Sequence, residues 1–119
     1  MSRSTNGYFA TVKRYAFGFF LLLAGNTTYA DKPTFVIEIK DHLFMPSVIR
    51  IPANTKVKLI VINKDDTPEE FESYELNREK VIVGKQQASL FIGPLKPGEY
   101  PFFGEFHPKT AVGILIAEE

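Results

Sequence analysis

Beyond residue 30 the chain reads as short runs of alternating apolar and polar positions, separated by turn-forming clusters. Lys56-Val57-Lys58-Leu59-Ile60-Val61-Ile62-Asn63 opens with strict alternation, placing Val57, Leu59 and Val61 on one face and Lys56 and Lys58 on the other. Similar runs occur at residues 35–40, 48–51, 80–83, 88–92, 99–103 and 112–117, and residues 71–76 form a short strand or an irregular excursion. Pro52-Ala53-Asn54-Thr55, Lys64-Asp65-Asp66-Thr67-Pro68, Gly93-Pro94 and Lys96-Pro97-Gly98 mark turns between them. No helical periodicity follows residue 30. This pattern predicts an all-β fold, a Greek-key β-sandwich or barrel of seven to eight strands. Pro101, inside a strand run, calls for a bulge or an edge at that point.

Residues 1–30 have a different character. Arg3, Lys13 and Arg14 precede the apolar run Ala16-Phe17-Gly18-Phe19-Phe20-Leu21-Leu22-Leu23-Ala24, and Thr28-Tyr29-Ala30 ends the segment before the first acidic residue, Asp31. This is the layout of a secretory signal peptide cleaved after Ala30, and it implies export to the periplasm. An uncleaved anchor is the alternative, but the run falls short of the ~20 residues that span a bilayer. The expected domains are 1–30, signal peptide, and 31–119, one small β-domain. The 119-residue chain carries 14 Lys+Arg and 14 Asp+Glu, and loss of three cations with the signal leaves the remainder acidic. An acidic domain is a poor partner for nucleic acid. The chain has no cysteine, so no disulfide, lipoprotein anchor or thiol nucleophile exists.

Three segments, in order, resemble the cupredoxin family. Residues 44–57, beginning Phe44-Met45-Pro46, match its Phe-x-Pro, strand, turn, strand arrangement, with Asn54 where glycine is usual. Residues 61–71 match its strand, Asn63, polar loop and first ligand position. Residues 95–107, with Pro97-Gly98-Glu99-Tyr100-Pro101-Phe102 and then His107, match its final ligand loop. The resemblance implies a cupredoxin-like fold, but the ligand positions depart from it: Glu69 stands for the first histidine, Gly104 for the cysteine and Ala111 for the methionine, and only His107 is kept. A blue copper site needs a thiolate, so a type 1 electron carrier is excluded. The Glu69-Glu70-Phe71-Glu72 and Gly104-Glu105-Phe106-His107 variants look like the EfeO-type cupredoxin-like domains of periplasmic iron-uptake systems. That likeness implies iron or copper handling, with an iron permease as partner.

The same resemblance brings Glu69, Glu105 and His107 to one end of the sandwich. Alternation puts Glu69 on the side of Phe71, facing inward, and Glu70 with Glu72 on the outer side, with Glu99 as a candidate third member of that outer group. Carboxylates with one imidazole suit iron, Mn²⁺ or Cu²⁺ and do not suit Cu⁺. Glu69 and His107 are the leading metal-ligand candidates, followed by Glu105, Glu72 and Glu70, with a copper or iron ion as cofactor. A solvated acidic rim is the competing reading. His42 is a further candidate ligand or a partly exposed strand-end histidine. Met45 is expected in the core, Phe102, Phe103 and Phe106 are expected as core or rim aromatics, and an exposed Phe106 beside His107 would instead form a small docking patch. Any oxidation of Fe²⁺ needs a redox-active metal to take the electron, since no side chain here can. A metal-free interaction module on the same fold is the second function considered. A hydrolase is the third, and it lacks a Gly-x-Ser-x-Gly elbow or a His-Glu-x-x-His motif.

Overall fold

The computed structural model describes residues 32–119, and the expected signal segment lies outside the described residues. Nine strands form: β1 (Thr34–Lys40), β2 (Leu43–Met45), β3 (Val48–Pro52), β4 (Val57–Asn63), β5 (Glu69–Ser73), β6 (Arg78–Ile82), β7 (Gln87–Ile92), β8 (Gly98–Gly104) and β9 (Val112–Glu118). They make a four-stranded sheet, β2-β1-β4-β7, and a five-stranded sheet, β3-β9-β8-β5-β6. Pairing of β1 with β4 and of β3 with β9 is parallel, and the other ladders are antiparallel. The count exceeds the expected seven to eight because the three-residue β2 carries too few positions to show a period.

Alternation decides the core. Val57, Leu59 and Val61 are buried, as are Ile37 and Ile39 on β1, Ile49 and Ile51 on β3, and Leu115 and Ala117 on β9. Between the sheets Phe71 stacks on Phe102 with ring centroids 5.0 Å apart, and Phe44 meets Phe102 edge-on at 5.1 Å, the offset and edge geometries that aromatic quadrupoles favour.

Two backbone positions explain departures from the sequence pattern. Asn54, where the family prefers glycine, has φ 59°, in the left-handed region that asparagine tolerates better than most residues. Pro101 lies in β8 opposite Ile114, but β5 pairs with β8 only at Phe71↔Gly104 and Glu72↔Phe103. Its missing N–H therefore falls where the β5 ladder has stopped, while its carbonyl accepts a bond from Ser73 Oγ at 2.7 Å.

The β1–β2 hairpin closes through Asp41 and His42, with φ 53° and 61°. Lys40 pairs with Leu43 across them, the two-residue arrangement whose twist suits adjoining strands. Both turn N–H groups donate to one carboxylate, Asp41 to Asp65 Oδ1 at 2.8 Å and His42 to Asp65 Oδ2 at 3.0 Å. Asp65 is held in turn by its own N–H to Asn63 Oδ1 at 3.0 Å. Buried Asn63 donates to the carbonyls of Thr67 and Ile82. The polar loop after β4 thus fixes where His42 stands.

Met45 corrects an expectation: it is 56% exposed. Phe44 already takes the inward position of β2, so its neighbour must face out. Replacing Phe102 by Ala should lower stability by about 3–5 kcal/mol in urea unfolding, whereas Met45→Ala should change it by less than about 0.5 kcal/mol.

Candidate functional site

One end of the sandwich is built around a buried carboxylate. Glu69 begins β5 and is 1% exposed, on the Phe71 side of the strand as alternation requires. Its Oε1 accepts the N–H of Phe106 and its own neighbour Glu70, both at 2.9 Å. Its Oε2 lies 2.7 Å from Nδ1 of His107. With the carboxylate ionised, both oxygens only accept, so Nδ1 carries the proton in this hydrogen bond. Three donors offset the desolvation that a buried charge otherwise suffers.

The loop between β8 and β9 is shaped to supply these donors. The N–H of His107 donates to Gly104 O, that of Ala111 to His107 O and that of Gly104 to Ala111 O, folding the segment back over Glu69. Gly104 is required by space. A Cβ there would sit 2.6 Å from Glu69 Cδ and 2.7 Å from Ala111 Cβ. The two positions that depart from the family's cysteine and methionine are therefore small because the Glu69 carboxylate fills the volume between them. A blue copper centre does not fit these residues: no sulfur is present, and the space is taken.

His107 is stacked on His42, with centroids 3.6 Å apart and planes 12° from parallel. The His42 imidazole in turn has Nδ1 3.5 Å from Asp65 Oδ2. Each histidine thus has its own carboxylate, and the two pairs meet ring to ring at the surface. Burial pushes the Asp65 carboxyl up, but the N–H groups of His42 and Asp41, with the charge of His42, outweigh it and hold the group below its ordinary 3.8.

The five expected metal residues divide between two faces of β5. Glu69 and His107 come together inside. Glu70 and Glu72 come together outside, where they are joined by Glu79 and not by Glu99, the three offering carboxylate oxygens within 4.8 Å of one another. Glu72 pairs with Glu79 across the β5–β6 hairpin, whereas Glu99 pairs with Ile116 at a distance. Glu105 lies beside this outer group, its N–H donating to Glu70 O at 2.9 Å. Desolvation, with the adjacent Glu79, holds the Glu70 and Glu72 carboxyls above their ordinary 4.5. Phe106 is 46% exposed next to His107, the rim position among the readings expected for it. Sequence reasoning missed the stacking of His42 on His107 and the role of Glu79. Both depend on register, although the even spacing of acidic residues on either side of the β5–β6 turn was a usable signal for Glu79.

The chain belongs to the cupredoxin-like domain family: that family's model matches residues 13–117. An uncharacterized protein of Rickettsia prowazekii (strain Madrid E) is 47% identical over 83 residues, 70% of this chain and 66% of that protein. The chain thus spans just under two thirds of that relative's length. Among solved structures, amicyanin from Paracoccus versutus superposes with TM-score 0.57 and 19% identity, covering 76% of this chain and 85% of that one. Auracyanin A, a "blue" copper protein from Chloroflexus aurantiacus, gives 0.64 and 10%, covering 74% and 100%. The metal-binding domain of the Cu(I)-exporting P-type ATPase CopA from Streptococcus pneumoniae D39 gives 0.61 and 14%, covering 72% and 85%. These three likenesses show the all-β cupredoxin-like fold.

Two outcomes test this geometry. Gly104→Ala should lower stability by about 1–3 kcal/mol through overpacking, and the loss should shrink by more than about 0.5 kcal/mol in a Glu69→Ala background, read as a double-mutant cycle in urea. For the outer group, ionisation is harder in the folded chain than in the unfolded one. The contribution of Glu70 and Glu72 is therefore most favourable below pH 4.5 and is lost as pH rises through their raised values. Glu79→Gln should accordingly raise the melting temperature at pH 7, and the gain should vanish below pH 4.5.

Proposed function

We propose that this protein handles a divalent transition-metal ion, iron or copper, at the Glu69–His107 end of the sandwich. In this reading it acts in the periplasm as an EfeO-type component of iron uptake beside an iron permease. The carrying observation is the Glu69 carboxylate, 2.7 Å from the His107 imidazole at the end of the fold where cupredoxins keep their ligands. An oxygen–nitrogen pair of this kind suits iron, Mn²⁺ or Cu²⁺. An ion held between Glu69 and His107 would take the place of the hydrogen bond at Nδ1, and the ring would then carry its one proton on Nε2. His42 is stacked on His107, with its Nδ1 turned to Asp65, and forms no three-ligand set with Glu69 and His107 among the described residues. Glu70, Glu72, Glu79 and Glu105 on the outer face raise the local concentration of cations. Membership of the cupredoxin-like family and the fold shared with copper proteins support the reading. The iron role rests on the sequence resemblance.

One observation favours the metal-free alternative. Every acceptor position of Glu69 near the loop is already used by Phe106, Glu70 and His107, so the end is closed without an ion. Calorimetric titration of the protein with Cu²⁺, Fe²⁺ and Mn²⁺ separates the two. The metal reading expects micromolar or tighter binding of at least one ion, about −8 kcal/mol, abolished in Glu69→Ala/His107→Ala. Absence of binding by all three leaves the metal-free module, and binding that survives in the double variant contradicts a site at Glu69 and His107.

A further inference from the structure

The outer face of the five-stranded sheet carries a contiguous apolar belt that runs into the acidic group. Register sets Val48 beside Ile114 on β3 and β9, and Val112 beside Phe103 on β9 and β8. Tyr74, just past β5, meets the Phe103 ring edge-on at 5.5 Å. Three of these side chains are well exposed, Tyr74 at 73%, Val112 at 51% and Val48 at 46%. Phe103 in turn pairs with Glu72, and Glu72 with Glu79. Apolar and acidic surface thus meet along one row of the sheet.

Ion pairs among the described residues join His42 to Asp65, Arg50 to Glu118, Lys85 to Asp66 and His107 to Glu69. Glu70, Glu72, Glu79 and Glu105 have none of these cations. Mutual repulsion of the close carboxylates is thus left uncompensated by ion pairs among the described residues. Exposed apolar surface bordered by charge of one sign marks an interaction site, and the sign of the charge selects the occupant. Two copies meeting about a two-fold axis through the acidic group would set each carboxylate group against its own image. An anionic lipid surface or a nucleic acid would be repelled in the same way.

We propose that this face docks a partner protein that presents an apolar ridge flanked by lysine or arginine. The apolar side chains fill the belt from Val48 to Tyr74, and the cations lie over Glu72 and Glu79. The proposal goes beyond the metal reading and does not depend on it, because Glu69 and His107 face the other side of β5.

The test maps amide chemical shifts of the protein on addition of an acetylated, amidated peptide of three lysine-leucine repeats. Two peptides serve as comparison, with glutamate in place of lysine and with serine in place of leucine. The expected shifts cluster at Val48, Glu72, Tyr74, Glu79, Phe103 and Val112. The lysine-leucine peptide should bind on the order of tenfold more tightly than either comparison peptide. Binding should weaken between about 0.1 M and 1 M salt, as the screening length falls from about 10 Å to 3 Å. Tyr74→Ser and Glu72→Gln/Glu79→Gln, both at the surface, should each reduce affinity while leaving the dispersed spectrum intact. Equal binding of the glutamate peptide, shifts confined to the opposite sheet or to the His107 end, or full affinity in either variant overturns the proposal. So does sedimentation showing that a second copy of the chain covers this face.

Discussion

The arrangement of the ligand end follows from one buried charge. The Glu69 carboxylate gathers the N–H groups of Glu70 and Phe106 and the imidazole of His107, so it ties the start of β5 to the loop between β8 and β9. Through the ring stack that hold passes to His42, and through Asp65 to the loop after β4. Three connections distant in sequence are fastened by a chain of carboxylate, imidazole, imidazole and carboxylate. Loss of the first link leaves two backbone donors and an imidazole without partners in a place water reaches poorly, a deficit of about 1–3 kcal/mol for each unsatisfied group.

This chain has exchanged chemistry within a retained frame. The fold is held by alternation and by the Phe44, Phe71 and Phe102 cluster, none of which touches the ligand identities. At the ligand end, a carboxylate occupies the volume that Gly104 and Ala111 leave open. The small residues at 104 and 111 and the acid at 69 are thus coupled: a Cβ at residue 104 would meet Glu69 Cδ at 2.6 Å, and something there must shift to take it. The same strand, β5, presents acid to both of its faces. On the inner face the charge is matched by donors, and on the outer face it is matched by nothing within the described residues. That contrast is the physical reason the outer group, and not the inner one, is left open to a cationic partner.

Much of this was legible in the residues. The period of two placed Val57, Leu59 and Val61 in the core, and it put Glu69 inside with Phe71 while sending Glu70 and Glu72 outward. The all-β class was readable for the same reason, whereas the coming together of Glu69 and His107 was implied only by the resemblance to cupredoxins. Met45 was misplaced because apolar character was weighed above its adjacency to Phe44, when two neighbours in a strand face opposite ways. His42 meets His107 only through a turn with positive φ at both residues and the parallel register of β1 on β4. Glu79 joins Glu72 only once the hairpin register is set. Long-range register is decided by packing across the whole sandwich, and no local pattern encodes it.

The central claim, that the Glu69 carboxylate holds His107 by its Nδ1 proton, is tested most directly by imidazole nitrogen NMR on protein labelled at histidine, compared with Glu69→Gln. The account predicts that His107 is locked with the proton on Nδ1 and that Glu69→Gln releases it to the mixture of tautomers found in free imidazole. A proton on Nε2 in the unaltered protein, or the same tautomer in both proteins, would contradict it.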